Sequence, residues 1–299
     1  MNKVKNTMSE ISIIGAIEEN LFEYIRLFAK NGVNDFHEDK EVLRFISDIN
    51  IPSMQSNSIY KLHFNENQNI DSALSLALKP FRDGKKPLFL TAGPSSNFAE
   101  IAPYLKKQGL MHAQTQRGMA MDLDSFNKEL SLPRELTVKE VATTEELRQW
   151  LRIYTDGFDY SSKLADFIFN NYGEIFLGTK KPARHYIAYY KGKPVATSSL
   201  FVTGNVAGLY NIVAVPEARH RGFGEALTLI PLIEAKKQGC VLAILQATDM
   251  GAGVYRKLGF EELCSLELYM KLYGSSQITF ILSYMKKKII NYLRSLFPL

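Results

Sequence analysis

The chain has 299 residues, of which 46% are hydrophobic and 22% charged, and a formal net charge of +5. That length holds one large or two ordinary domains, and the balance is that of a globular protein able to bury a core. The small positive excess suits anionic small ligands; with no basic run interleaved with aromatics, nothing here is built for nucleic acid.

Two cysteines, Cys240 and Cys264, are too few for a disulfide scaffold or a zinc cluster and fit a reducing cytosol. The five histidines (His37, His63, His112, His185, His220) show no metal-ligand spacing, so no metal is expected. The opening MNKVKNTMSE lacks the apolar core of a signal peptide, and a cytoplasmic protein is expected.

In chain order, apolar positions at helical spacing predict a helix from Ile11 to Ala29, and Leu43, Phe45 and Ile46 suggest a second. Ser58 to Phe64 alternates as a strand, and Ile70 to Phe81 reads as a helix with Asp71 and Ser72 at its start and Pro80 at its end. Pro87 to Thr91 is a buried strand, Phe98 to Lys107 a helix stopped by Gly109, and His112 to Leu123 is extended. No constellation for chemistry stands out in this half. The polar stretch Asp122 to Arg134, closed by Pro133, reads as a linker.

Beyond it, Leu136 to Val141 alternates as a strand, and Thr143-Thr144-Glu145-Glu146 starts a helix running to about Tyr154. Ser161 and Ser162 cap another, through Tyr172. Three strands follow as an antiparallel meander: Arg184 to Tyr190, Val195 to Thr203 and Val206 to Val215, with turns at Gly192-Lys193 and Gly204-Asn205. A helix from about Gly222 to Lys237, a strand from Val241 to Gln246, a short helix from Gly251 to Leu258 and a strand from Phe260 to Leu272 complete the pattern.

The stretch Tyr210 to Ala226, YNIVAVPEARHRGFGEA, joins an apolar strand to a helix through a basic, glycine-containing turn. Helix-start N–H groups carry partial positive charge, and glycine lets phosphate approach the backbone. Glu225-Ala226 after the last glycine exclude a Walker loop, and Leu227 in the third-glycine position excludes the dinucleotide fingerprint.

This pattern resembles the GNAT superfamily of acyl-CoA N-acyltransferases over roughly Leu136 to Lys271. The family signature of Arg or Gln, two residues, Gly, one residue, then Gly or Ala stands here as Arg219-His220-Arg221-Gly222-Phe223-Gly224, after Val215-Pro-Glu-Ala218. A second block, GVYRKLGFEEL from Gly253 to Leu263, is similar to the family's Tyr-x-x-x-Gly-Phe element. The resemblance implies an α/β (α+β) fold with a mixed, mostly antiparallel central sheet flanked by helices. It also implies an acetyl-CoA-dependent N-acetyltransferase acting on a primary amine, with acetyl-CoA as substrate and no metal.

By the same resemblance, the strand Asn211 to Val215 would splay from its neighbour at a bulge, and Val213, Ala214 and Val215 would pair with the pantetheine arm. Arg219, His220, Arg221, Gly222, Phe223, Gly224, Glu225 and Ala226 would line the pyrophosphate. Thr248 matches a position near the cofactor, and Tyr255 matches the family's general acid. Such residues suit attack of a neutral amine on a thioester, with backbone N–H groups facing the developing oxyanion and a phenol protonating the leaving thiolate. The family often carries a strand carboxylate as base; Val195 to Thr203 and Val206 to Val215 carry none. A non-catalytic acyl-CoA-binding regulatory module is the competing expectation.

PLFLTAGPSSNFAEIAPYLKKQGLMHAQ in the first half echoes CVLAILQATDMGAGVYRKLGFEELCS in the second. The echo suggests a degenerate GNAT-like domain over 1–126, a linker over 127–135, a catalytic domain over 136–273 and an apolar-basic helix over 274–299. The first domain, without a glycine-basic loop, is expected not to bind acyl-CoA and instead to brace the second or wall its acceptor cleft. The tail, too short and polar to span a bilayer, docks on its own domain or a dimer mate, with membrane-surface contact as the less favoured reading. A monomer or homodimer acting on a small-molecule or peptide amine is expected.

Overall fold

The computed structural model describes residues 9–273 except 32–34, 50, 52, 54–55, 66–67, 97 and 179–180. The expected tail helix over 274–299 lies outside the described residues. The first half comprises α1 (Glu10–Asn31), β1 (Asp35–Glu38), β2 (Val42–Ile46), β3 (Asn57–Leu62), α2 (Ile70–Asp83), β4 (Leu88–Ala92), α3 (Phe98–Lys107) and β5 (Met111–Asp122). The second comprises β6 (Leu136–Glu140), α4 (Thr144–Phe158), α5 (Ser162–Leu177), β7 (Ala183–Tyr190), β8 (Lys193–Thr203), β9 (Val206–Ala214), α6 (Phe223–Lys237), β10 (Leu242–Ala247), α7 (Asp249–Leu258) and β11 (Glu261–Lys271).

Local chemistry sets most of these limits. Thr143 and Glu146 form a reciprocal capping box at the start of α4, and Ser161 caps α5. The tight turn between β7 and β8 falls on Lys191 and Gly192, both at positive φ, one residue earlier than Gly192-Lys193. The segment expected as a second helix around Leu43 is instead the hairpin β1–β2. Asp39 accepts from the N–H groups of Glu41 and Val42 and closes that turn. Leu43 and Phe45 then face the cluster under α1 while Val42 and Ile46 face the one under α2 and α3, so both sides of a short apolar strand are buried. Pro80 lies inside α2 rather than ending it, and α2 is capped by Asn69, whose side chain accepts from the Ser72 N–H.

All strands among the described residues form one mixed sheet, in the order β1-β2-β3-β4-β11-β5-β10-β9-β8-β7-β6. It is antiparallel apart from β3–β4 and β9–β10. The order contains a reciprocal exchange. The units β3-α2-β4-α3-β5 and β9-α6-β10-α7-β11 have the same connectivity, yet β5 lies against β10 and β11 lies against β4, and the two exchanged strands pair with each other. Met119 and Met121 of β5 therefore complete the core under α6 and α7.

Side-chain alternation along β10 divides the two faces. Leu242 and Ile244 pack with α1, whereas Ala243, Leu245 and Ala247 pack with α6 and α7. Helix α1 thus lies across the strands of the second half. Gly208 on β9 makes room for it: a Cβ there would collide with the Asn20 amide oxygen and the Tyr210 ring. Asn20 is 2% exposed, donates to Thr203 Oγ1 at 2.6 Å and accepts from the Tyr210 hydroxyl at 2.6 Å. Gly208→Ala is expected to destabilise the chain by about 1–3 kcal/mol through overpacking, measured as a lowered urea midpoint with an unchanged slope.

Candidate active site at the parted strands

Strand β9 carries one extra residue against β8. Pairing steps from Thr197–Val213 to Ser199–Tyr210, a bulge in which Asn211 adopts φ 55°. Asparagine tolerates this left-handed conformation better than most residues, and the Thr197 hydroxyl pins it by donating to the Asn211 carbonyl at 2.9 Å. On its other edge, β9 meets β10 only at Val206–Leu242, Ala207–Ala243 and Gly208–Ile244. Both strands continue beyond that point, so their facing edges part and leave backbone groups outside the ladder. Val213 and Ala214 lie on the parted section, and Val215 returns to the sheet by donating to Val195 O at 3.0 Å.

A short 3-10 turn, Pro216–Ala218, leads into the basic loop. His220 at φ 60° and Gly222 at φ 78° reverse the chain so that α6 starts at Phe223 and packs on β8 and β9. No side chain caps this helix. The first helical bond runs from Ala226 N–H to Gly222 O at 3.1 Å, so the N–H groups of Phe223, Gly224 and Glu225 have no partner within the helix. A Cβ on Gly224 would meet nothing within 4 Å. Packing therefore does not require glycine there, and its presence keeps the positive end of α6 open. Phe223 and Ala226 are buried and anchor the turn, while His220, Arg221 and Glu225 are exposed. The Arg221 guanidinium lies 5.4 Å from the centre of the Tyr190 ring.

Arg219 is placed differently from its loop neighbours. Its guanidinium donates to Ala214 O at 3.3 Å and to Gly157 O at 3.0 Å. The side chain ties the end of α4 to the parted strand.

Thr248 caps α7, accepting from the Gly251 N–H at 3.3 Å. Two turns on, Tyr255 is 9% exposed, with its ring edge-on to Phe260 at 6.0 Å. Burial pushes its phenol well above the ordinary value, so the proton stays on it at neutral pH.

A buried polar chain runs behind the bulge and was not legible from spacing. Asn211 donates to the Tyr24 hydroxyl at 2.9 Å and to Ser199 Oγ at 3.1 Å, and Ser199 shares a 2.8 Å hydrogen bond with His185 Nδ1. Tyr24 comes from α1, and its ring stacks on Tyr210 at 4.3 Å. His185 lies against Phe176 at 4.2 Å, and burial pushes its imidazole down to about 3. It is therefore neutral and a poor base.

Because the folded value lies below 6.5, the unfolded chain binds the extra proton, and stability falls as pH drops from about 6.5 toward about 3. The slope attributable to His185 is expected to reach about 1.4 kcal/mol per pH unit. Melting temperature against pH, wild type compared with His185→Gln, checks this: the variant should lose the part of the acid slope that this side chain causes.

Tyr24, Asn211, Trp150 and Tyr154 also border a cavity of about 40 Å³ between α1, α4 and α5. Among the described residues no charged side chain lines it, and none forms a cluster of His, Cys, Asp and Glu able to hold a metal ion. No helix among them is long and apolar enough to cross a membrane.

Residues 181–262 match the family model described as an acetyltransferase (GNAT) domain. No curated protein sequence matches the chain. Among solved structures, the chain is similar to a GCN5-related N-acetyltransferase from Kribbella flavida, with a TM-score of 0.64, 16% identity and 87% of this chain covering 96% of that one. A functionally unknown conserved protein from Staphylococcus epidermidis aligns with a TM-score of 0.59 at 13% identity, over 81% of this chain and 95% of the other. A tandem GNAT protein from the clavulanic acid biosynthesis pathway aligns with a TM-score of 0.53 at 13% identity, over 86% and 95%. The fold is that of the GCN5-related N-acetyltransferases, and a tandem arrangement occurs among its structural neighbours.

Proposed function

We propose that this chain, with its GNAT domain, transfers an acetyl group from acetyl-CoA to the amine of a small acceptor. The observation that carries the reading is the parting of β9 from β10 beyond Gly208, with the Asn211 bulge on the parted section and the uncapped start of α6 following it in the chain. Free strand edges suit the amides of a pantetheine arm, and partnerless N–H groups with an open Gly224 suit a pyrophosphate. Val213 to Val215 would hold the arm, and His220 to Ala226 the phosphates, with Arg219 fixing the strand and Thr248 the start of α7.

In the reaction, the neutral amine nitrogen attacks the thioester carbonyl carbon and the C–S bond breaks. N–H groups on the parted edge face the oxygen as it gains charge. Tyr255 gives its proton to the leaving sulfur, the amine's surplus proton leaves to water, and solvent restores the phenol. The direct test is thiol release from acetyl-CoA over a panel of amines, with no release for any amine counting against it. A non-catalytic acyl-CoA-binding module is the second reading, favoured by the lack of a carboxylate around the cavity.

Gly224→Asp separates ligand binding from folding. An acidic residue in the first turn is neutral or slightly stabilising for a helix, but here it would face phosphate. CoA affinity measured by calorimetry is expected to fall about 10-fold or more, roughly 1.4 kcal/mol, with an unchanged melting temperature.

The two halves, proposed as 1–126 and 136–273, are expected to differ in ligand binding. Where α6 is open, its counterpart α2 is closed by the Asn69 cap and carries Asp71 in its first turn. Calorimetric titration is expected to give one equivalent of CoA per chain. Two tight equivalents would remove the assignment of the first half as a non-binding partner. A cytoplasmic location and a monomeric or dimeric state belong to the same proposal.

A further inference from the structure

We infer that the acceptor is a small apolar monoamine, received in the cavity that α1 of the first half closes over the bulge of the second. The inference rests on the acyltransferase reading and names the substrate of that same site. The cavity begins at Asn211, where the strands part, and is walled by Tyr24 and Phe28 of α1, Trp150 and Tyr154 of α4, and Tyr172 of α5. Its volume is about 40 Å³, so an alkyl stem enters by moving the aromatic side chains that wall it apart.

The wall chemistry selects against other amines. Among the described residues, no lining side chain carries a charge. A polyamine would bury a second cation there, and an amino acid would bury a carboxylate, each without a counterion. Aromatic faces tolerate a single ammonium on entry.

Desolvation also supplies what the strands lack. An apolar enclosure lowers the pKa of an entering amine, so the nucleophile reaches its neutral form without a carboxylate base. The Tyr154 phenol offers the nitrogen a polar partner. Tyr154 is 3% exposed, its ring stacks on Trp150 at 5.4 Å, and its hydroxyl makes no hydrogen bond among the described residues. Tyr154 is one of the residues that line the cavity, and a phenol oxygen there can accept from the amine N–H, orienting the nitrogen.

Trp150 is the sole tryptophan, so its emission reports occupancy directly. The experiment titrates isobutylamine, spermidine and glycine into the full chain at pH 7 and pH 9, reading Trp150 emission, with thiol release from acetyl-CoA measured in parallel. Isobutylamine is expected to give a saturable change, tighter at pH 9 where more of it is neutral, and spermidine and glycine none. Tyr154→Phe, checked for an unchanged melting temperature, is expected to weaken isobutylamine about 3- to 10-fold.

The inference is overturned if isobutylamine leaves Trp150 unperturbed, or if spermidine or glycine binds as well. It is also overturned if hexanoyl-CoA but not acetyl-CoA perturbs Trp150, since the cavity would then hold an acyl chain. An emission response without thiol release keeps the cavity assignment and removes the acyltransferase reading. Thiol release with spermidine but not isobutylamine does the reverse.

Discussion

Tyr255→Phe is expected to lower kcat for thiol release by about 100- to 10,000-fold while CoA affinity changes less than about twofold. The separation follows from geometry. The binding surface proposed for the nucleotide is backbone, on β9 and at the start of α6, and the phenol contributes no hydrogen bond to either. Its ring remains against Phe260 in the variant, so the fold loses nothing. Only the proton for the departing sulfur disappears. Kinetics and calorimetry on the same preparation check both halves of the statement. A kcat unchanged within threefold would mean that water protonates the sulfur, and an absence of turnover in wild type with every amine would favour the binding module.

The second large effect concerns the exchanged strands. Separate expression of residues 1–126 is expected to give a chain with no cooperative unfolding transition. Its β5 has partners only in β10 and β11, and Met119 and Met121, at 0% and 3% exposure, would have nothing to pack against. Residues 127–299 would lack both β5 and the helix α1 that covers Ile244 and Tyr210. Each fragment is expected to lose essentially the whole stability of a domain, about 5–15 kcal/mol. Co-expressed, the two are expected to reassemble and elute as one species, because every strand then finds its partner. A sharp thermal transition from 1–126 alone would refute this.

How much of this was legible beforehand depended on where the signal is stored. Caps are local, so Thr143 with Glu146, and Ser161, announced their helices, although α4 and α5 run several residues past the expected ends. The glycine-basic turn announced the open start of α6, and the order of elements from Leu136 onward was readable throughout. The hairpin β1–β2 was not, because a short apolar run buried on both sides has no period to read.

The strand exchange left no local trace. β5 and β11 follow similar helices, and either could close either unit without changing a single propensity. The motif marked Arg219 by position, but a motif does not specify that its guanidinium donates to Ala214 O and Gly157 O. Tyr24 read as one more apolar residue on a helical stripe. Its role beside Asn211 depends on a contact between residues 187 positions apart.

That contact has a consequence in time. The cavity needs Tyr24 and Phe28 near the beginning of the chain, and the same unit is completed by α7 and β11 near its end. At translation rates of about 5–20 residues per second, roughly 10–50 s separate the emergence of these parts. Until β10 appears, β5 offers two bare edges to whatever is nearby, and a nascent length that stops before β11 lacks the complete sheet. A ribosome that stalls or terminates before β10 and β11 therefore releases an incomplete fold.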